Sequence, residues 1–296
     1  MFYSEAFIAY IKYEKRYALH TATAYEADLL QFTTYAGEAF GLTGVEEVRH
    51  THVRSWLAGL SEAGAGATTL NRKISTLRSY FRYLLREQKV AVSPMDKVIA
   101  PKRPSRLPQF LQQETAIAML NGLHSDTFTG FTQKLILELL YQAGLRRSEL
   151  VTLRLGQVDF GKRLLKVWGK GGKERVVPFT VQLETLLRAY IEARNALQPE
   201  HEFLLVLESG KAIYSEFVYR TVKFALKDEP VAQKSPHVLR HSFATHLVDN
   251  GAELNAVKDL LGHSSLAATQ VYTHSSIEAL KEAFRNAHPK AHRKDR

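Results

Sequence analysis

The sequence predicts a mainly α protein with one small β-sheet: an all-helical N-terminal domain, a short basic linker and a mixed α/β C-terminal domain. Three observations carry this expectation. Apolar residues recur at helical spacing in the first domain. Prolines and cations without an apolar period fill the linker. A single pair of β-rich runs around a glycine loop interrupts an otherwise helical second half. The expected boundaries are 1–92, 93–108 and 109–288, with 289–296 as a disordered basic tail. A length of 296 residues suits two domains.

The elements follow in order. Tyr25, Leu29, Phe32 and Ala36 form one helical stripe, and Val53, Trp56, Leu57 and Leu60 repeat it up to Gly64, where a helix should end. Leu70, Ile74, Leu77, Phe81 and Leu84 mark the buried face of a third helix, opened by Thr68 or Thr69. Arg78, Arg82 and Arg86 align on another face of that helix. They are either a solvated face with packed stems or a cationic rail for phosphates; like charges at this spacing repel, so an anion would relieve them. Pro94, Pro101, Pro104 and Pro108 stand among Lys97, Lys102, Arg103 and Arg106, which reads as stiff extended chain. Helical signals return at Ile117 to Leu120 and at Leu135, Ile136, Leu139 and Leu140. Leu164 to Trp168 and Arg175 to Pro178 are expected to form a hairpin around the loop Gly169 to Glu174. Phe203 to Leu207 is a candidate strand, and the remainder is helical with breaks at Gly251 and Gly262.

Charge narrows the partners. Forty Lys and Arg against thirty Asp and Glu leave a net +10, which favours a polyanion without identifying it. The absence of cysteine excludes disulfides, thiolate metal sites and a cysteine nucleophile, and fits a reducing compartment. The N-terminal residues lack the pattern of a signal peptide, and no apolar run is long enough to span a bilayer. A cytoplasmic protein with no membrane partner is expected.

Breaking a phosphodiester without a metal takes a nucleophile, donors for the phosphorane's negative charge and an acid for the departing oxygen. Arginine suits the second task because its planar fork engages two phosphate oxygens. Arg146 follows a Gly144-Leu145 turn, where it is either an exposed cation or one presented at a helix start. Glu149 suits pairing with an arginine or capping a helix. Lys170 sits between glycines in the hairpin loop, as a turn lysine or a mobile proton donor. His237 and Arg240 lie three apart, so they share a helix face just after Pro236, at a helix start that favours an anion. His263 follows Gly262 at a helix end, and Tyr272 lies nine residues beyond. A metal site at His237, His241 and His246 is disfavoured: only the first two share a face, no carboxylate sits between them, and Arg240 would oppose a cation. Neither a metal nor another cofactor is expected.

Together and in order, Arg146, Lys170, His237-x-x-Arg240, His263 and Tyr272 resemble the active-site set of the tyrosine recombinase (phage integrase) family. Gly144 to Leu150, Gly169 to Arg175, His237 to His246 and Leu261 to Tyr272 resemble its Xer branch. Thr21 to Tyr25, with Asp28, Leu29 and Phe32, is similar to the branch's core-binding domain. The resemblance implies a helical core-binding domain and a mixed α/β catalytic domain closing around double-stranded DNA. It also implies roles. Tyr272 attacks the scissile phosphate, Arg146 and Arg240 hold its non-bridging oxygens, and Lys170 protonates the leaving 5′-oxygen. His237 assists proton transfer at the tyrosine, and His263 donates to the phosphate. The implied partner is a double-stranded DNA recombination site bound by a tetramer, either of this chain alone or a hetero-tetramer with a second Xer-type recombinase; whether a cell-division DNA translocase activates it stays open. Ile277, Leu280 and Phe284 stripe a C-terminal helix that either folds back on its own core or passes to a neighbour. A mobile-element integrase, a type IB topoisomerase and an idle DNA-binding protein are the alternatives.

Overall fold

The apolar stripes become helices. This computed structural model describes residues 1–102, 109–123, 125–169, 174–262 and 274–291, the side chains of the last stretch from 276. The chain forms two units, Met1–Arg106 and Leu107–Arg296. In the first, α1 (Ser4–Ala9) runs into a π-helical turn and is followed by α2 (Leu19–Phe40), α3 (His50–Glu62) and α4 (Ala67–Arg86). Leu29, Phe32, Val53, Trp56, Ile74, Leu77 and Phe81 meet in one core. Asp28 is buried beside them, where Lys73 Nζ donates to it at 2.8 Å and Thr76 Oγ1 at 2.9 Å, and Arg72 pairs with it as well. A carboxylate out of water needs such partners.

Two expectations for this unit are corrected. The helix expected to open at Thr68 or Thr69 begins at Ala67, because the Gly66 carbonyl already accepts from Leu70 N at 3.1 Å. The segment read as linker from residue 93 stays with the first unit at least as far as Pro101, whose carbonyl accepts from Asn71 Nδ2 at 2.9 Å. Pro94–Lys97 forms a 3-10 turn capped by Ser93 Oγ, and Met95 and Val98 are buried in the first core. The prolines and cations around these two apolar residues hide them from a composition reading. Residues 103–108 lie outside the described residues.

The second unit begins with α5 (Gln113–Asn121), α6 (Phe128–Gln142) and α7 (Arg147–Val151). Strands β1 (Val158–Asp159), β2 (Leu164–Trp168) and β3 (Glu174–Pro178) form an antiparallel sheet in that order, with Leu165 opposite Val177 and Lys166 opposite Val176. Helices α8 (Val181–Ala196), α9 (Ser215–Ala225), α10 (Pro236–Asp249), α11 (Leu254–Leu261) and α12 (His274–Ala287) complete it. Helix α6 is buried from Leu135 to Gln142 and packs against α8, α9 and α10. Phe203 to Leu207 forms only isolated bridges, from Arg154 to Phe203 and from Val206 to Ala212. Its residues are apolar enough for a strand, but its amides find Leu153 O (from Leu204 N, 2.7 Å) and Tyr190 Oη (from Val206 N, 3.1 Å) instead.

The C-terminal helix folds onto its own unit, with Leu280, Phe284 and Ala287 buried in the core. The tail expected to be disordered from residue 289 is ordered at its start. His288 and Lys290 are buried, and Lys290 Nζ donates to Glu138 Oε1 at 2.6 Å. Glu138 also accepts from Gln142 Nε2 at 2.7 Å, and Gln142 Oε1 accepts from Thr180 Oγ1 at 2.7 Å. A carboxylate buried on α6 demands a cation, and Lys290 supplies it. Among the described residues no helix is long and apolar enough to cross a membrane.

Candidate active site

Helix α6 ends in a left-handed turn at Gly144, φ 55°. A Cβ there would lie 2.5 Å from Phe243 Cδ1, so close approach as well as conformation requires glycine. The turn returns Leu145 to the core and brings Arg146 out at the N-cap of α7. Arg146 N donates to Glu149 Oε2 at 2.7 Å, and its Nη1 donates to Glu149 Oε1 at 2.7 Å. Glu149 therefore does both things expected of it, capping a helix and pairing with an arginine.

Three arginines converge on that carboxylate. Besides Arg146, Arg175 of β3 engages it in a bidentate pair, Nη1 to Oε1 and Nη2 to Oε2, each 2.8 Å. Arg240 of α10 stands 3.9 Å away, its Nη1 donating to Gly144 O. The C-terminus of α11 adds three more acceptors. Leu260 O accepts from Arg175 Nε at 2.7 Å, Leu261 O from Arg240 Nη2 at 2.6 Å, and Gly262 O from Arg146 Nη2 at 3.1 Å. These are carbonyls that a helix end leaves without an intrahelical partner, at the negative end of its dipole. Gly262 ends the helix at φ 62°, and a Cβ on it would lie 2.9 Å from Arg175 Cδ.

Electrostatics follow from the crowding. Burial alone would raise the Glu149 pKa; the hydrogen bonds and charge of Arg175, with the bonds from Arg146, override it and hold the carboxyl at about 2. The Arg240 pKa is lowered too, to about 9, by burial first and then by the charges of Arg146 and Arg175, which disfavour its charged form. Three guanidiniums face one carboxylate, so positive charge is left over. An arginine remains protonated at neutral pH, and the relief available is an incoming anion. Side-chain exposure shows which cation meets it: 32% for Arg146, 10% for Arg240 and 4% for Arg175.

Of the residues singled out in the sequence, Arg146 and Arg240 are thus brought together. His237 lies exposed in the first turn of α10, one turn before the buried Arg240 on the same helix. His246 belongs to the core: its Nδ1 meets Tyr141 Oη at 2.9 Å and its Nε2 meets Leu111 O at 2.8 Å. Lys170, His263 and Tyr272 lie outside the described residues. Sequence reasoning missed Arg175 as part of the site. The available signal was its position two residues before Val177, which places a charge on the inward face of a strand.

Two forked cations anchored at a buried carboxylate, with charge to spare, equip a protein to hold a phosphate ester. Comparison with known proteins gives the family. Residues 109–279 match the phage integrase family, and residues 5–88 match the phage integrase N-terminal SAM-like domain. The chain is 36% identical to tyrosine recombinase XerC of Staphylococcus aureus over 293 residues, covering 97% of this chain and 96% of that relative. It is also 36% identical to tyrosine recombinase XerC of Lacticaseibacillus casei over 291 residues, covering 96% and 98%. The chain belongs to the phage integrase family and is a site-specific tyrosine recombinase, an enzyme that cleaves and rejoins DNA. Solved structures share its fold. XerH recombinase bound to palindromic difH has a TM-score of 0.70 at 21% identity, covering 95% of this chain and 84% of that one. The Tn1549 transposon integrase with transposon right-end DNA has a TM-score of 0.72 at 20% identity, covering 95% and 99%.

Proposed function

We propose that this recombinase binds double-stranded DNA at a specific site and resolves chromosome or plasmid dimers, as a cytoplasmic Xer-type enzyme. The observation that carries the chemistry is the meeting of Arg146 and Arg240 around Glu149 with positive charge in excess. The near full-length identity to proteins named XerC supports the biological role, and the complex of XerH with difH supports a DNA site as the substrate.

In this reading the first domain and the basic linker grip the duplex, and the second domain carries the chemistry. The phenolic oxygen of Tyr272 attacks the scissile phosphorus. The bond from phosphorus to the 5′-oxygen breaks, and Lys170 gives that oxygen its proton. Arg146 and Arg240 hold the non-bridging oxygens as charge builds on them. His263 donates to the same phosphate, and His237 assists transfer of the tyrosine proton. The 3′-phosphotyrosyl bond conserves the energy of the phosphodiester, so rejoining takes no ATP. A 5′-hydroxyl from the partner strand then attacks the tyrosyl ester, forming and later resolving a Holliday junction. The assembly is a tetramer on two sites, with a second Xer-type recombinase as hetero-partner and a cell-division DNA translocase as activator; α12, which packs on its own unit in the single chain, is released to a neighbour only on assembly.

The test is a plasmid with two directly repeated dimer-resolution sites, incubated with the enzyme and candidate partner recombinases. Excision of the intervening segment, dependent on both sites, is expected. Recombination confined to the ends of a mobile element would favour the integrase reading, and relaxation of plasmids without any such site would favour a topoisomerase.

A further inference from the structure

Arg175 is too buried to touch DNA, yet all three faces of its guanidinium fork are used. Nη1 and Nη2 take both oxygens of Glu149, and Nε takes the Leu260 carbonyl. The next two carbonyls of the same helix end, Leu261 and Gly262, take Arg240 and Arg146 in turn. Three guanidiniums are therefore laid along one helix terminus, and the innermost one ties that terminus to the carboxylate that aligns Arg146. Gly262 admits the arrangement because a side chain there would meet Arg175. Strand β3 also closes the hairpin whose loop carries Lys170 in the sequence.

We propose that Arg175 is a positioning residue for strand cleavage: it locks Glu149 and the α11 terminus together so that Arg146 and Arg240 stay aimed at the scissile phosphate. This rests on the reading that those two arginines hold the phosphate. Only a planar fork serves. A lysine keeps the charge and much of the volume, but its tetrahedral ammonium cannot reproduce a bidentate pair together with a third bond in the same plane. The guanidiniums it aligns would drift, and a misplacement of about 1 Å costs roughly a hundredfold in rate.

The experiment is single-turnover cleavage of a nicked duplex by the full chain, with the rate at saturating protein measured apart from the dissociation constant. The variants are Arg175→Lys, Glu149→Gln, their combination, and Arg240→Ala as a control. Arg175→Lys should bind within about threefold of wild type and cleave some ten- to a hundredfold more slowly. Glu149→Gln, which preserves the shape of the acceptor, should slow the same step, and the combination should be no slower than the worse single variant. Cleavage by Arg175→Lys within twofold of wild type, beside a slow Arg240→Ala, would overturn the proposal and leave the arginine pair standing. So would multiplying effects of the two single variants, or an Arg175→Lys chain that fails to fold and bind, since each makes Arg175 a residue of the fold alone. Rapid cleavage by Arg240→Ala would instead remove the reading of the pair.

Discussion

Phe243 fills the space that a Cβ on Gly144 would need, so helix α10 presses directly on the turn that presents Arg146. Arg240, three residues before Phe243 on that helix, donates to the carbonyl of the same glycine. The two arginines are thus registered to each other through one residue. Gly144→Ala should destabilise the protein by about 1–3 kcal/mol through the left-handed conformation and the overpacked ring. It should also slow cleavage more than binding. Thermal melting and single-turnover cleavage check this, and an unchanged melting temperature would contradict it.

Acid should loosen the site. The Glu149 carboxyl lies below its ordinary 4.5 in the fold, at about 2, so the unfolded chain binds its proton first. Its contribution is present above about pH 4.5 and disappears as the pH falls through about 2. A shift of that size corresponds to about 3 kcal/mol for this buried group. The stability gap between wild type and Glu149→Gln, measured by denaturant titration, should be widest near neutrality and narrow steadily below pH 4.5. A gap independent of pH would show that the carboxylate's charge contributes nothing.

Lys290 should matter to the fold although only six residues follow it in the sequence. Lys290→Met leaves Glu138 buried without its cation, a loss of roughly 3–5 kcal/mol. Pairing it with Glu138→Leu should recover most of that, because two apolar groups replace two charges. Melting temperatures of the two variants decide; equal destabilisation by both would contradict the pairing.

The arginines of α4 divide. Arg86 lies 4.1 Å over the Tyr10 ring and pairs with Glu87, and Arg78 donates to Val98 O at 2.9 Å, whereas Arg82 is exposed with no carboxylate partner among the described residues. Arg82→Ala should lower the slope of log binding constant against log salt by about one phosphate contact, near 0.9. Arg86→Ala should change it less. Fluorescence anisotropy across a salt series measures both slopes, and an unaltered slope for Arg82→Ala would assign it to solvent.

Much of this was legible because periodicity and punctuation are local. Gly64, Gly251 and Gly262 mark helix ends where φ turns positive, and the hairpin runs fall within one residue of β2 and β3. The partnership of Arg146 with Glu149 was readable from a three-residue spacing. What escaped depends on long-range packing. Arg175 meets Glu149 across 26 positions, and Lys290 meets Glu138 across 152. Neither distance leaves a trace in a window of sequence. Met95 and Val98 were hidden for a different reason, since two buried residues are too few to set a period against prolines and cations.

The central claim is that the Tyr272 oxygen displaces a DNA strand while the fixed arginines bear the charge. Its most direct measurement uses a duplex nicked beside the scissile phosphate, so that the released fragment diffuses away and the covalent product accumulates. A protein–DNA adduct stable to denaturant, with the DNA joined by its 3′-phosphate to the peptide containing Tyr272 and absent in Tyr272→Phe, is the predicted result. An adduct of equal yield in Tyr272→Phe, or cleavage with no adduct at all, would contradict it.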